Sequence, residues 1–147
     1  MTMTVGQILA AKGNKAMAVA PDNSVLDALK IMAEHDIGAV LVTEGERLVG
    51  IFTERDYARK VALRGLVSRD VKVSELMTAN PTTVAPSQTV DQVMQTMTQR
   101  RFRHLPVVEN GKIAGIVTIG DMVKCVVSEQ EATIQQLSSY IAGDLAT

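Results

Sequence analysis

Hydrophobic positions along the chain follow two alternating rhythms, and the pair of rhythms comes round twice. Val25, Ala28, Leu29 and Met32 lie at i, i+3, i+4 and i+7, and Val90, Val93, Met94 and Met97 repeat that spacing. Each set makes one apolar helix face. Ser24 with Asp27 three residues on, and Thr89 with Gln92, place an N-cap pattern ahead of each face. The first helix is expected to end before Gly38 and the second near Arg100. Two short apolar strands follow in each half, 39–42 with 48–52 and 105–108 with 113–118. Asn110-Gly111 is a strong hairpin turn, and Glu44-Gly45-Glu46 joins the first pair. Pro106 has no N–H to give a ladder, which predicts an edge or unpaired position for it. A further helix is expected to open at Thr53 and again at Thr118.

The halves are copies of one unit. A shift of 65 residues lays 84–126 over 19–61, with Val19/Val84, Ala20/Ala85, Pro21/Pro86, Gly50/Gly115, Ile51/Ile116, Thr53/Thr118 and Asp56/Asp121 among the identities. The lead-ins VGQIL (5–9) and VSELM (73–77) correspond at a shift of 68. A unit of about 60 residues is too small to bury a good core alone, so the two copies should pack together. The order β-α-β-β-α, twice, predicts an α+β fold with the helices on one side of each small sheet. The repeats are assigned to 5–65 and 73–127, bridged by an ordered stretch with one Gly and no Pro at 62–72. Ser128 with Glu131 predicts a separate C-terminal helix over 128–145, striped by Ile134, Leu137 and Ile141, that packs back on the body or meets a partner chain.

Composition narrows the function classes. Fifteen Lys+Arg against 16 Asp+Glu give a net charge of −1, without the basic excess of a general nucleic-acid binder. The apolar runs are about five residues, far below the roughly 18 of a membrane span, and residues 1–10 lack the basic start and apolar stretch of a secretory leader. A cytoplasmic chain is the expectation. Cys125, the one cysteine, reads as a small buried hydrophobe, and two histidines remote from it offer no metal cluster.

Chemistry concentrates in a duplicated G-x-x-T-x-x-D, Gly50 to Asp56 and Gly115 to Asp121, at a strand end and helix start. Capping explains it: Thr as N-cap, the acid three residues on as its reciprocal partner. A ligand explains it too, with the Thr53 and Thr118 hydroxyls at an anion and the Asp56 and Asp121 carboxylates accepting from a sugar diol. Basic residues are uneven. Arg100, Arg101, Arg103 and His104 crowd the entry to the second strand pair, where the first copy has His35, Asp36, Gly38 and Ala39. Arg100 and Arg101 suit a solvated face, whereas Arg103 and His104 are placed to line a cleft. Arg55 faces Gly120 across the repeat, a second asymmetry.

VAPDNSVLDALKIM, IGAVLV and LVGIFTERD in one copy, with TTVAPSQTVDQVM, RFRHLPVV and KIAGIVTIGD in the other, resemble the tandem cystathionine-beta-synthase (CBS) domain pair, the Bateman module. The likeness covers 5–127. It implies two CBS repeats packed about a pseudo-twofold axis, commonly paired into a homodimer. It also implies inter-repeat clefts that take adenosine-containing ligands such as AMP, ADP, ATP, NAD or S-adenosylmethionine. The positions that match are Thr53 with Asp56, and Thr118 with Asp121, for phosphate and ribose. Backbone beside Val19 and Val84 matches the part that reads adenine, and Arg103 with His104 matches a basic pair that reaches phosphate. Gly38 and Ala39 depart from that pair, which favours the Asp121 copy as the phosphate site; Gly120 departs from the Arg found at position 55.

The function expected on these grounds is an adenosine-nucleotide-binding regulatory module that signals to a separate enzyme or transporter, with no obligatory cofactor and no catalytic role. No P-loop, Rossmann fingerprint or triad spacing is present. A dimeric interaction scaffold with vestigial or empty clefts is the alternative.

Overall fold

The structure, a computed structural model, describes residues 3–13 and 15–146, with side chains as far as Ala142. Capping boxes open α1 (Val5–Lys12), α2 (Val25–His35) and α5 (Val90–Arg100), from Thr4, Ser24 and Thr89. The last two are the caps expected from the sequence. Asp36 and Arg101 close α2 and α5 in the left-handed region, at equivalent places in the two repeats.

Three strands of the first repeat and one from the second repeat's lead-in build a four-stranded sheet in the order β1 (Ala18–Val19), β2 (Ala39–Glu44), β3 (Arg47–Thr53), β4 (Thr78–Ala79). β1 runs parallel to β2, and the other pairs are antiparallel. The second repeat pairs β5 (His104–Glu109) with β6 (Lys112–Thr118), and Val84 bridges Val107 where the first repeat has β1. Asn110 and Gly111 turn that hairpin at φ of 53° and 76°. Pro106 pairs Ile116 across the hairpin, and its carbonyl accepts from the Val84 N–H on the other side of β5. Its nitrogen therefore points away from β6, so the missing N–H costs the hairpin nothing.

Both faces of β2 are covered, which explains its unbroken apolar run. Val40 and Val42 join Phe52 and Val61 beneath α2, while Ala39, Leu41 and Ile51 turn the other way and meet Ile113 and Ile116 of the second repeat. Ile51 and Ile116, equivalent in the two copies, thus share one cluster where the sheets meet. The helices lie on the outer side of each sheet, the α+β arrangement expected.

The lead-in helices are exchanged. Val5, Ile8 and Leu9 of α1 are buried among Val90, Val93, Leu105 and Val117 of the second repeat. Val73 and Leu76 of α4 (Val73–Leu76) are buried among Val25, Val40 and Phe52 of the first. Backbone bonds fix the exchange: Val5 and Gly6 N–H to Gln88 and Pro86 carbonyls, Val73 and Ser74 N–H to Asn23 and Pro21 carbonyls. Each core therefore closes only with chain from the other half. A fully buried Val contributes roughly 1.5–3 kcal/mol relative to exposure.

Thr53 caps α3 (Glu54–Asp56), which continues in π geometry over Tyr57–Ala62; a turn and a short 3₁₀ stretch at Ser68–Asp70 then order the bridge, as expected. The C-terminal region corrects the sequence reading. Ser128 does not start a helix, because α6 runs unbroken from Ile119 to Ala146. No Gly or Pro falls between Asp121 and Ala142 to stop it, and a lone Ser is tolerated inside a helix. Cys125 is buried as expected, its thiol against Met3 Sδ at 3.0 Å and pushed up in pKa by burial.

Candidate functional site

Thr53 ends β3 in extended geometry, and its hydroxyl oxygen accepts the Asp56 N–H at 3.1 Å. The Asp56 carboxylate returns to the Thr53 N–H at 3.0 Å and to its hydroxyl at 3.2 Å. Its other oxygen takes Lys60 at 3.0 Å and the Thr78 hydroxyl at 3.4 Å. Asp56 is the buried charged residue of the core, and those donors are why burial is tolerated there. Thr118 and Asp121 form the same reciprocal cap, with bonds of 2.8 and 3.1 Å. Both copies of the motif are thus caps, and each carboxylate also holds a lysine. For Asp121 it is Lys12, at 2.7 Å, reaching from α1 and also donating to the Ile116 carbonyl at 3.0 Å.

A cleft of about 1180 Å³ opens where the first repeat's Thr53–Lys60 segment faces the second repeat's 97–106 segment. Ile51, Met97, Phe102, Leu105, Pro106 and Ile119 give it an apolar floor. Thr53, Thr78, Thr82 and Thr98 add hydroxyls. Arg55, Arg59, Lys60, Arg100, Arg101 and Arg103 supply cations, against Glu54 and Asp56 alone. Some of these are already employed. Arg55 donates to the Arg101 carbonyl at 2.9 Å, tying the two repeats together, and Arg100 donates to the Thr82 hydroxyl at 3.4 Å. Arg59, Arg101 and Arg103 make no ion pair among the described residues.

Arg103 and His104 line the cleft of Thr53 and Asp56 across the repeat boundary, while His104 also stays within electrostatic reach of Asp121 and Lys12. The β5 entry crosses the inter-repeat seam, so its side chains reach the neighbouring motif. Val19 and Val84 are buried core residues outside the cleft wall. Val84 has its N–H and carbonyl bound to Pro106 and Val108, leaving Pro81 and Thr82 to face the space. Arg100 and Arg101 are exposed as expected, yet they rim the cleft.

His104 packs between the repeats. Burial pushes its pKa below the ordinary 6.5, with Arg103 and Lys12 adding to the shift and Glu54 and Asp121 opposing it. The shift favours the neutral ring, which offers a hydrogen bond and no charge.

Arg59 and Lys60 escaped the sequence reading, although their spacing from Asp56, three and four residues on, places them on its helix face. Thr78 and Thr82 carried no such signal, because they reach the first repeat only through the exchanged lead-in. No group of three or more His, Cys, Asp or Glu that could hold a metal occurs among the described residues. Nor is any helix among them long and apolar enough to cross a membrane.

The family model of the CBS domain matches residues 6–63 and 73–128. The chain belongs to the CBS-domain family. It is 39% identical over 149 aligned residues to the mitochondrial CBS domain-containing protein CBSX3 of Arabidopsis thaliana, spanning 95% of this chain and 72% of that one. It also matches Arabidopsis CBSCBSPB2 at 35% identity, but spans 24% of that longer CBS protein. Among solved structures, a CBS-domain protein of Burkholderia ambifaria, described as a candidate signal-transduction protein, superposes with a TM-score of 0.84 at 48% identity. That match covers 87% of this chain and 96% of the other. The chain is therefore a tandem of two CBS repeats in a mixed α/β fold.

Proposed function

We propose that this CBS tandem is a regulatory module that binds a phosphorylated adenosine in the Thr53–Arg103 cleft and signals its occupancy to a separate polypeptide. The observation that supports it is charge placement. Six of the 15 Lys+Arg line one cleft with two carboxylates, in a chain whose net charge is −1. An anion with more than one charge suits that wall, and the apolar floor suits a flat base. Adenosine as the nucleoside follows from the family resemblance, and the phosphate from the arginines. The Asp121 motif, whose carboxylate already holds Lys12, is the poorer site.

A dimeric scaffold with empty clefts is the competing reading. It is favoured by the Asp56 carboxylate, whose oxygens already serve Thr53, Thr78 and Lys60. A thermal-shift series separates the two, using wild type and Arg103→Ala with AMP, ATP and adenosine at two salt concentrations. A binding module gains midpoint by mass action, more for AMP and ATP than for adenosine, and loses that preference with Arg103→Ala or high salt. A scaffold shows flat midpoints with every nucleotide.

A further inference from the structure

The cationic cleft is poor in carboxylates and rich in guanidinium forks. Five arginines and Lys60 line it, against Glu54 and Asp56. Asp56 is fully employed. One oxygen accepts from the Thr53 N–H and hydroxyl, and the other takes Lys60 and the Thr78 hydroxyl, which fills the acceptor sites of an ionised carboxylate. Lys60 is itself held, donating also to the Leu76 carbonyl at 3.1 Å. Turning Asp56 towards a metal ion would break the Thr53 cap and set a second cation beside that ammonium. Glu54 makes no ion pair among the described residues, but its carboxyl lies at the seam beside His104. A Cβ built on Gly38 would stand 3.6 Å from the one and 3.2 Å from the other.

Mg²⁺ and arginine compete for the same atoms. Mg²⁺ is held by phosphate oxygens, several waters and one or two carboxylates. An arginine fork pairs bidentately with those phosphate oxygens when they are bare. We propose, resting on the nucleotide reading above, that this cleft takes phosphates without their metal, so that Mg²⁺ competes with the protein for ATP. The arginines stand where the metal would. A Mg²⁺ complex brings a dication to a wall of six cations and gives up part of the charge that draws ATP to it. AMP, whose single phosphate chelates Mg²⁺ weakly, reaches the arginines either way. The metal thereby sets which nucleotide the module reports. ATP contends with AMP when Mg²⁺ is scarce, and the cleft is left to AMP when Mg²⁺ exceeds ATP.

Calorimetric titration of the nucleotide-free full chain tests this, with ATP and AMP each in EDTA and in Mg²⁺ above the nucleotide concentration, at ionic strength matched with NaCl. Mg²⁺ should weaken ATP by roughly tenfold or more, the loss of at least one charged hydrogen bond, and leave AMP unchanged. Arg59→Ala gives a second readout. Arg59 is exposed and makes no ion pair among the described residues, so the thermal midpoint should stay put. Metal-free ATP should bind this variant more weakly and the Mg²⁺ penalty should shrink, because one competing fork is gone. ATP bound as tightly with Mg²⁺ as without it, or a penalty undiminished in Arg59→Ala, overturns the inference, while AMP binding keeps the nucleotide reading standing. No heat from either nucleotide under any condition removes the reading and the inference together.

Discussion

The imidazole of His104 lies directly over Gly38: a Cβ built on Gly38 would stand 3.2 Å from both Cε1 and Nε2 of the ring. The first repeat thus gives up a side chain where the second inserts one across the seam. Exact symmetry between the copies is broken there, and the arginine-lined cleft forms on the side that His104 and Arg103 enter. Gly38→Val should push the ring aside, destabilising the fold by about 1–3 kcal/mol. Chemical denaturation of the variant measures it, and an unchanged midpoint would show that the ring has room to spare.

His104 also sets a pH window. Its folded pKa is lowered from 6.5 by burial. Near and below 6.5 the unfolded chain therefore binds the proton that the folded ring refuses, and stability falls as pH drops from about 6.5 through the folded value. Above 6.5 the contribution is constant. Arg103, Lys12, Glu54 and Asp121 face the same group and move the window without reversing its sign. Denaturant midpoints at pH 7.5 and 5.5 should differ in wild type, and His104→Asn should flatten the difference.

The exchanged lead-ins make the two repeats one cooperative unit. Val5→Ala and Val73→Ala should each cost about 2 kcal/mol while leaving a single transition. A fragment covering 1–68 lacks α4 and should not fold as a monomer. Two resolved transitions in wild type, or a sharp monomeric transition for the fragment, would break this expectation.

Asp56 should matter more than Asp121 for nucleotide, the reverse of what the position of Arg103 in the sequence suggests. Asp56→Ala removes the group at the cationic cleft and should weaken AMP by roughly tenfold to a hundredfold. Asp121→Ala should change AMP affinity little, although it frees Lys12. Calorimetry of both variants decides, with their thermal midpoints as the control for lost caps.

Much of this protein could be read from its sequence. Helix faces, caps and hairpin turns are local, so Val25–Met32, Thr89 and Asn110-Gly111 announced their structures. Duplication then announced the pairing of the copies. What stayed hidden was relational. Nothing local in VGQIL or VSELM says that each packs on the opposite repeat. Nothing in RFRHLPVV says that Arg103 and His104 point across the seam towards Asp56. Ser128 misled for the opposite reason: its capping pattern is local and real, but the helix already running through it left the cap unused.

The measurement closest to the nucleotide reading is calorimetric titration of nucleotide-free protein with ATP, AMP and adenosine at low and high salt. One site per chain is expected, with ATP and AMP bound more tightly than adenosine and the preference shrinking as salt rises. No heat with any of the three at millimolar ligand would contradict binding itself, and equal affinity for AMP and adenosine would remove the phosphate from the arginine-lined cleft.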